Sequence, residues 1–211
     1  MAVIEYFYSA HSGYAYIGSK LLPEVAAAAG ARIDHRPFDW HAVLAANGPN
    51  PTNGLTPQRR AYFSGREIER WAEARGLEII TGRMPTYHDN DYGFANCMLI
   101  ASSLEGADTD ALANRLLEAH WRDDADLADA ATLSRLGNEA GVDAARLLAA
   151  ATSAEVQAIY RSNTAEAIER SVFGSPTYFV DGDMFYGQDH LELVARALEK
   201  PFSGTWPRPA A

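Results

Sequence analysis

The sequence contains one cysteine in 211 residues, Cys97, so it has no internal disulfide and no CxxC pair with which to exchange one. Basic residues are also scarce. Eighteen Lys and Arg stand against 28 Asp and Glu, a formal net charge of −10, which argues against nucleic acid or an anionic membrane as partner. No apolar run approaches membrane-spanning length, and Pro23 and Glu24 interrupt the best candidate. The opening Met-Ala-Val-Ile-Glu-Tyr lacks a basic region followed by an apolar run, so no signal peptide is predicted and a cytoplasmic location is expected. The acid excess leaves small anionic ligands open, because local donors rather than net charge hold those.

What is present describes an ordinary folded chain. With 47% hydrophobic and 22% charged residues, the length suffices for one domain, or one domain with a large insertion. Val3 to Tyr8 reads as a buried strand and Ser9-Ala10-His11-Ser12-Gly13 as a polar loop of small residues. A helix is predicted from Tyr14 to Ala29, ended by Gly30, then a strand from Arg32 to Phe38 that Pro37 cuts short. This order makes a βαβ unit whose loop lies at the carboxyl end of the first strand, where open α/β folds place ligands. From Trp40 the pattern changes. The turn-rich stretch 47–54 precedes helical patterns at Pro57–Arg75, Phe94–Leu104, Asp108–Trp121, Ala130–Ala140, Ala144–Ala151 and Ala154–Ser171. Thr86 to Asp91 is polar and irregular.

Strand character returns near the carboxyl end. Thr177 to Val180 is β-branched and aromatic, Asp181-Gly182 suits a tight hairpin, and Met184 to Tyr186 runs back. A final helix opens at Gly187-Gln188-Asp189, with Leu191, Val194 and Leu198 on its apolar side. Ser175-Pro176 stands at the entrance of the first of these strands, a position compatible with a cis bond.

Phe-Gly-Ser-Pro-Thr at 173–177, followed by Val-Asp-Gly-Asp-Met-Phe-Tyr-Gly-Gln-Asp-His-Leu at 180–191, resembles the signature of 2-hydroxychromene-2-carboxylate isomerases; Ile4 to Ile17 at the other end adds to the likeness. These enzymes and the kappa-class glutathione transferases form part of the DsbA-like branch of the thioredoxin fold. The resemblance implies an α/β, thioredoxin-like (DsbA/kappa type) fold with a large all-helical insertion. Residues 1–40 and 172–200 would be the two halves of the thioredoxin-like domain, 41–171 the inserted helical domain, and 201–211 a tail. It further implies a cis Ser175-Pro176 peptide, glutathione as a cofactor that is returned rather than consumed, a homodimer, and isomerisation of an aromatic enone acid in aromatic-compound breakdown. A kappa-like transferase or peroxidase and a non-catalytic thioredoxin-fold binding protein are the alternatives.

Ser12 and Ala15 occupy the two positions that hold the cysteines in thioredoxin-fold oxidoreductases, so disulfide exchange is excluded. A hydroxyl at a helix N-terminus can instead donate to an external thiolate and raise its ionised fraction, which makes Ser12 the candidate catalytic residue; an ordinary N-cap serine is the alternative. Gly13 and Ala15 depart from the Ser-Pro-Tyr/Phe-Ser usual in these isomerases. His11 reads as a solvent-exposed loop histidine, with proton transfer as its alternative. The resemblance assigns the backbone of Ser175, with Pro176, to the glutathione cysteine, Gln188 and Asp189 to its γ-glutamyl end, and Asn50, with Asn53 as rival, to a further glutathione contact. Arg59 and Arg60 are candidates for a substrate carboxylate, and Tyr14, Tyr16, Trp40, Tyr62 and Tyr87 for an aromatic pocket, with core packing or a solvated face as the alternative for each. His88-Asp89-Asn90-Asp91 lacks any partner motif, and no metal site is expected.

Overall fold

The computed structural model describes residues 1–48 and 56–204. Within them β1 (Val3–Tyr8) pairs in parallel with β2 (Arg32–Pro37), while β3 (Thr177–Val180) and β4 (Asp183–Tyr186) extend the sheet antiparallel on the other side of β1. The order is β2-β1-β3-β4, so the two ends of the chain meet at the centre of the sheet. Side chains alternate across β1. Tyr6 stacks on Tyr8 at 4.0 Å and on its cross-strand partner Tyr178 at 5.3 Å, and all three join the larger core. Phe7 faces the other way, against Phe38, Phe179, Val43 and Ala167. The Arg170 guanidinium lies 3.6 Å from the centre of the Phe179 ring and covers that smaller cluster. Asp181 and Gly182 join β3 to β4 with φ of 50° and 85°, the two positive values that a type I′ hairpin turn requires.

Helices fill the rest. α1 (Gly13–Gly18) and α2 (Leu21–Ala29) replace the single helix expected from Tyr14 to Ala29. Pro23 explains the break: its nitrogen has no hydrogen to give the Ser19 carbonyl, and its ring crowds that same oxygen. α3 (Trp40–Ala46) was not expected; Asp39 caps it by accepting from the Ala42 N–H at 3.1 Å. α4 (Pro57–Arg60) continues through a π-helical turn, Ala61–Arg66, into α5 (Glu67–Ala74), covering the stretch predicted as one helix. Then follow α6 (Gly93–Leu104), α7 (Thr109–Arg122), α8 (Ala130–Glu139), α9 (Ala144–Ala151), α10 (Ala154–Glu169) and, after a 3₁₀ turn at Gln188–His190, α11 (Leu191–Glu199). Asp108, Asp129 and Asp143 cap α7, α8 and α9 through backbone N–H groups, which puts part of the acid excess where helix dipoles favour it.

The helical block shares its core with the sheet. Met98, Leu99, Leu112, Leu116 and Leu147 belong to the same apolar cluster as Ile4, Tyr6, Tyr16 and Leu191. His35 adds a polar tie, paired with the Tyr8 hydroxyl at 2.9 Å and with Asp110 on α7 at 2.9 Å. No helix among the described residues is long and apolar enough to cross a membrane.

Candidate active site

Ser12 caps α1. Its hydroxyl oxygen accepts from the Ala15 N–H at 3.2 Å, and its proton goes to the Ser175 carbonyl at 3.0 Å. Ser175 returns a contact: its Oγ accepts from the Ser9 N–H at 3.0 Å. These two bonds lock the loop after β1 to the turn before β3, and the Ser175-Pro176 peptide in that turn is cis. The Pro176 carbonyl accepts from the Gly187 N–H at 2.9 Å, so the turn also fixes the start of the last helical segment. The site therefore combines a half-buried hydroxyl, the positive end of α1 and a carbonyl held beside a proline.

Asn96, wholly buried on α6, holds the loop from behind. Its Oδ1 accepts from the Ala10 N–H at 2.9 Å, and its Nδ2 donates to the Phe38 carbonyl at 3.1 Å and to Ser9 Oγ at 3.4 Å. Trp121 at the end of α7 donates its indole N–H to the His11 carbonyl at 2.8 Å. Its six-membered ring lies against Gly13, where a Cβ would stand 2.6 Å from Cζ2. Gly13 is thus imposed by the tryptophan beneath it. Gly187 has a φ of 98°, a backbone conformation that favours glycine; the Asp189 carboxylate that a Cβ would meet at 2.4 Å is the end of an exposed side chain and can give way.

A family model described as a DsbA-like thioredoxin domain matches residues 3–199. The chain belongs to the DsbA-like thioredoxin family. Within that family it is similar to two proteins named 2-hydroxychromene-2-carboxylate isomerase. The one from Sphingobium xenophagum is 27% identical over 198 residues, covering 92% of this chain and 97% of the relative. The one from Pseudomonas putida is 25% identical over 200 residues, covering 93% and 94%. A solved 2-hydroxychromene-2-carboxylate isomerase has a TM-score of 0.79 at 23% identity, covering 94% of this chain and 95% of that one. The likeness, specific at the two ends of the sequence and weaker between them, covers nearly the whole chain in both relatives.

This DsbA-like chain has no thiol available for exchange. Cys97 is 1% exposed, the Gln157 amide donates to its Sγ at 3.2 Å, and burial pushes the thiol up to about 11. Around Ser12 the fold gathers Ser175, Pro176, Tyr14 and Asp189. Burial first, then Glu67, Tyr186 and Asp189, push the Tyr14 phenol up to about 12, so it stays protonated near the site. Gln188 is placed differently from Asp189: its side chain is 1% exposed and meets Arg75 across 3.5 Å, which leaves the exposed Asp189 and the 3₁₀ turn as the surface of this corner. Arg75 carried no sequence signal. It caps α5, lies over Trp71, and keeps a buried Nε with no partner among the described residues.

The other expected residues scatter. Arg59 is exposed in α4, behind the Thr56 cap. Tyr87 is exposed in the turn 85–90, which borders the site through its neighbour His88 rather than through Tyr87 itself. Tyr16 is core, its hydroxyl donating to the Glu78 carbonyl at 2.8 Å, and Tyr62 is exposed beside Arg70. Asn50 and Asn53 lie outside the described residues. His11 is a correction: it is not a solvent-exposed loop residue but only 7% exposed, stacked on Tyr92 at 3.8 Å. The two rings nearest it, Tyr92 and His88, are some eighty positions away in sequence, where the loop's own polarity gives no hint of them.

Proposed function

We propose that this protein is a glutathione-dependent cis–trans isomerase of an aromatic enone acid resembling 2-hydroxychromene-2-carboxylate. The observation that carries the reading is the Ser12 hydroxyl at the N-terminus of α1, hydrogen-bonded to the carbonyl that precedes a cis proline. The donor set fits a tripeptide thiol: a hydroxyl and helix end for the sulfur, the Ser175 backbone for a peptide group, and Asp189 for an ammonium. When bound, glutathione supplies a thiolate nucleophile whose reversible addition to a conjugated double bond permits rotation about it. Ser12 would release the Ser175 carbonyl and donate to that thiolate, and the α1 dipole would favour its charge. Asp189, exposed beside the 3₁₀ turn, would orient the γ-glutamyl end, and the protonated Tyr14 would flank the substrate as a donor. The family names of the two curated relatives support the substrate class, and the missing thiol pair speaks against disulfide chemistry.

Calorimetry with glutathione, read beside the ultraviolet absorbance of the bound thiol, tests this. A charge-assisted hydrogen bond is worth about 1.5–3 kcal/mol, so the bound thiol is expected to ionise about one to two pH units below the free one. Ser12→Ala is expected to abolish that shift and weaken binding about tenfold or more, while Ser12→Thr retains part of both. No heat of binding at millimolar glutathione would sink the proposal.

A further inference from the structure

Two hydrogen-bond relays end side by side next to Ser12. The first runs from Asn96, whose Oδ1 is committed to the Ala10 N–H, so that it turns its Nδ2, a donor only, to Ser9 Oγ at 3.4 Å. Ser9 is wholly buried, and the other partner of its Oγ among the described residues is His11 Nδ1, at 2.8 Å. The hydroxyl proton must therefore go to Nδ1, which leaves His11 with its proton on Nε2 as a donor. The second relay starts at the Ala125 carbonyl, which can only accept, so His120 Nδ1 carries a proton toward it at 3.0 Å. His120 Nε2 is then the acceptor for His88 Nδ1 at 3.1 Å, and His88 Nε2 is left with a lone pair. The two rings lie 5.0 Å apart between centres. Burial, as the largest cause, holds His11, His88 and His120 below the ordinary histidine range, His88 at about 4, so all three are uncharged at neutral pH.

We infer that His11 and His88 form a second polar site beside Ser12, one imidazole presenting an N–H and the other a lone pair, which recognises a neutral hydroxyl on an aromatic ligand. A hydroxyl both donates and accepts through one atom; a carboxylate only accepts and an ammonium only donates, so neither satisfies both imidazoles. The surroundings suit an aryl ring. Tyr92 stacks on His11, Trp40 meets His11 edge-on at 6.0 Å, and Trp121 meets His88 edge-on at 5.3 Å while backing Gly13. That this hydroxyl belongs to the enone acid rests on the function proposed above; the recognition itself does not.

The test is a titration of intrinsic tryptophan fluorescence with 2-hydroxycinnamate and with 2-methoxycinnamate, in the absence of glutathione. The wild-type protein is expected to bind the hydroxy acid about tenfold or more tightly than its methyl ether. His88→Phe, checked for folding by circular dichroism, is expected to bring the two affinities within about twofold by weakening only the hydroxy acid, and His88→Gln, which keeps an acceptor, to recover part of the preference. Equal wild-type affinities, no binding of either acid, or a parallel loss of both in His88→Phe overturns the inference. Because glutathione is absent, this result is independent of the Ser12 experiment, and either can fail while the other stands.

Discussion

Gly13 is the tightest position in the loop. A side chain there would have to occupy space already held by the Trp121 ring, with Cζ2 at 2.6 Å and Cη2 at 2.9 Å from a Cβ. Trp121 cannot easily swing away, because its indole N–H is bonded to the His11 carbonyl and the residue is 2% exposed. Gly13→Ala is therefore expected to destabilise the protein by about 1–3 kcal/mol, even though alanine is the better helix former. The cause can be isolated. In a Trp121→Phe background, which removes the two crowding atoms, the same substitution should be neutral or stabilising, as measured by urea unfolding. Equal penalties in both backgrounds would mean that the ring is not what excludes a side chain. At this scale the sequence announced the identity of Ser12 but not its neighbours. Ser12 and Ala15 in place of cysteines could be read directly, whereas Gly13 stood out only as a departure from the usual proline and His11 read as a surface residue, because Trp121, Tyr92 and His88 reach them only through the fold.

At the scale of elements, legibility followed sequence distance. The β3–β4 hairpin came out within a residue, since alternating side chains and an Asp-Gly turn are local signals. Helices α6 to α10 were also placed closely, and the starts of α7 to α10 are marked by capping acids and a serine. The split of α1 from α2 was readable in principle from Pro23, and α3 from Asp39, but the apolar periodicity on either side outweighed single residues. What could not be read is how α6 grips the loop after β1, because Asn96 lies 86 residues from Ala10 and its neighbours give an apolar helix no reason to carry an amide. That amide serves three elements at once: the loop, the end of β2 through Phe38, and α10 through the Tyr160 hydroxyl at 3.3 Å. Asn96→Leu is expected to strand the Ala10 N–H and Phe38 carbonyl in the interior and to lower stability by about 2–5 kcal/mol. If glutathione binds as proposed, the substitution also lowers its affinity more than a surface substitution on α6 does, since Ser12 is placed by the loop that Asn96 holds. Wild-type affinity in a folded Asn96→Leu protein would show that the loop keeps its shape without that anchor.

At the scale of the whole molecule, three histidines kept neutral in one corner make stability depend on pH. His11, His88 and His120 all sit below the ordinary histidine value, with burial the largest cause in each, followed for His11 and His88 by repulsion from neighbouring imidazoles. For His120 the Ala125 carbonyl opposes the burial in part. In the unfolded chain each would titrate near about 6.5. The sign follows from proton counts. Well above about pH 6.5 neither state binds these protons and the contribution is constant; as pH falls through that value, for His88 toward about 4, the unfolded chain takes up protons that the folded one refuses, so stability drops. Each histidine contributes at most about 1.4 kcal/mol per pH unit within that window. Arginine also holds Asp123, Asp124 and Glu139 low, and their own loss sets in only below about pH 4.5, at the foot of the histidine window. Thermal unfolding is expected to be level between about pH 7 and 8 and to fall steadily from about 6.5 to 4.5, with a shallower fall in His88→Phe, which removes one of the three groups. A melting temperature at pH 5 equal to that at pH 7.5 would mean that the imidazoles accept protons in place, and the donor and acceptor assigned to His11 and His88 would then be lost as well.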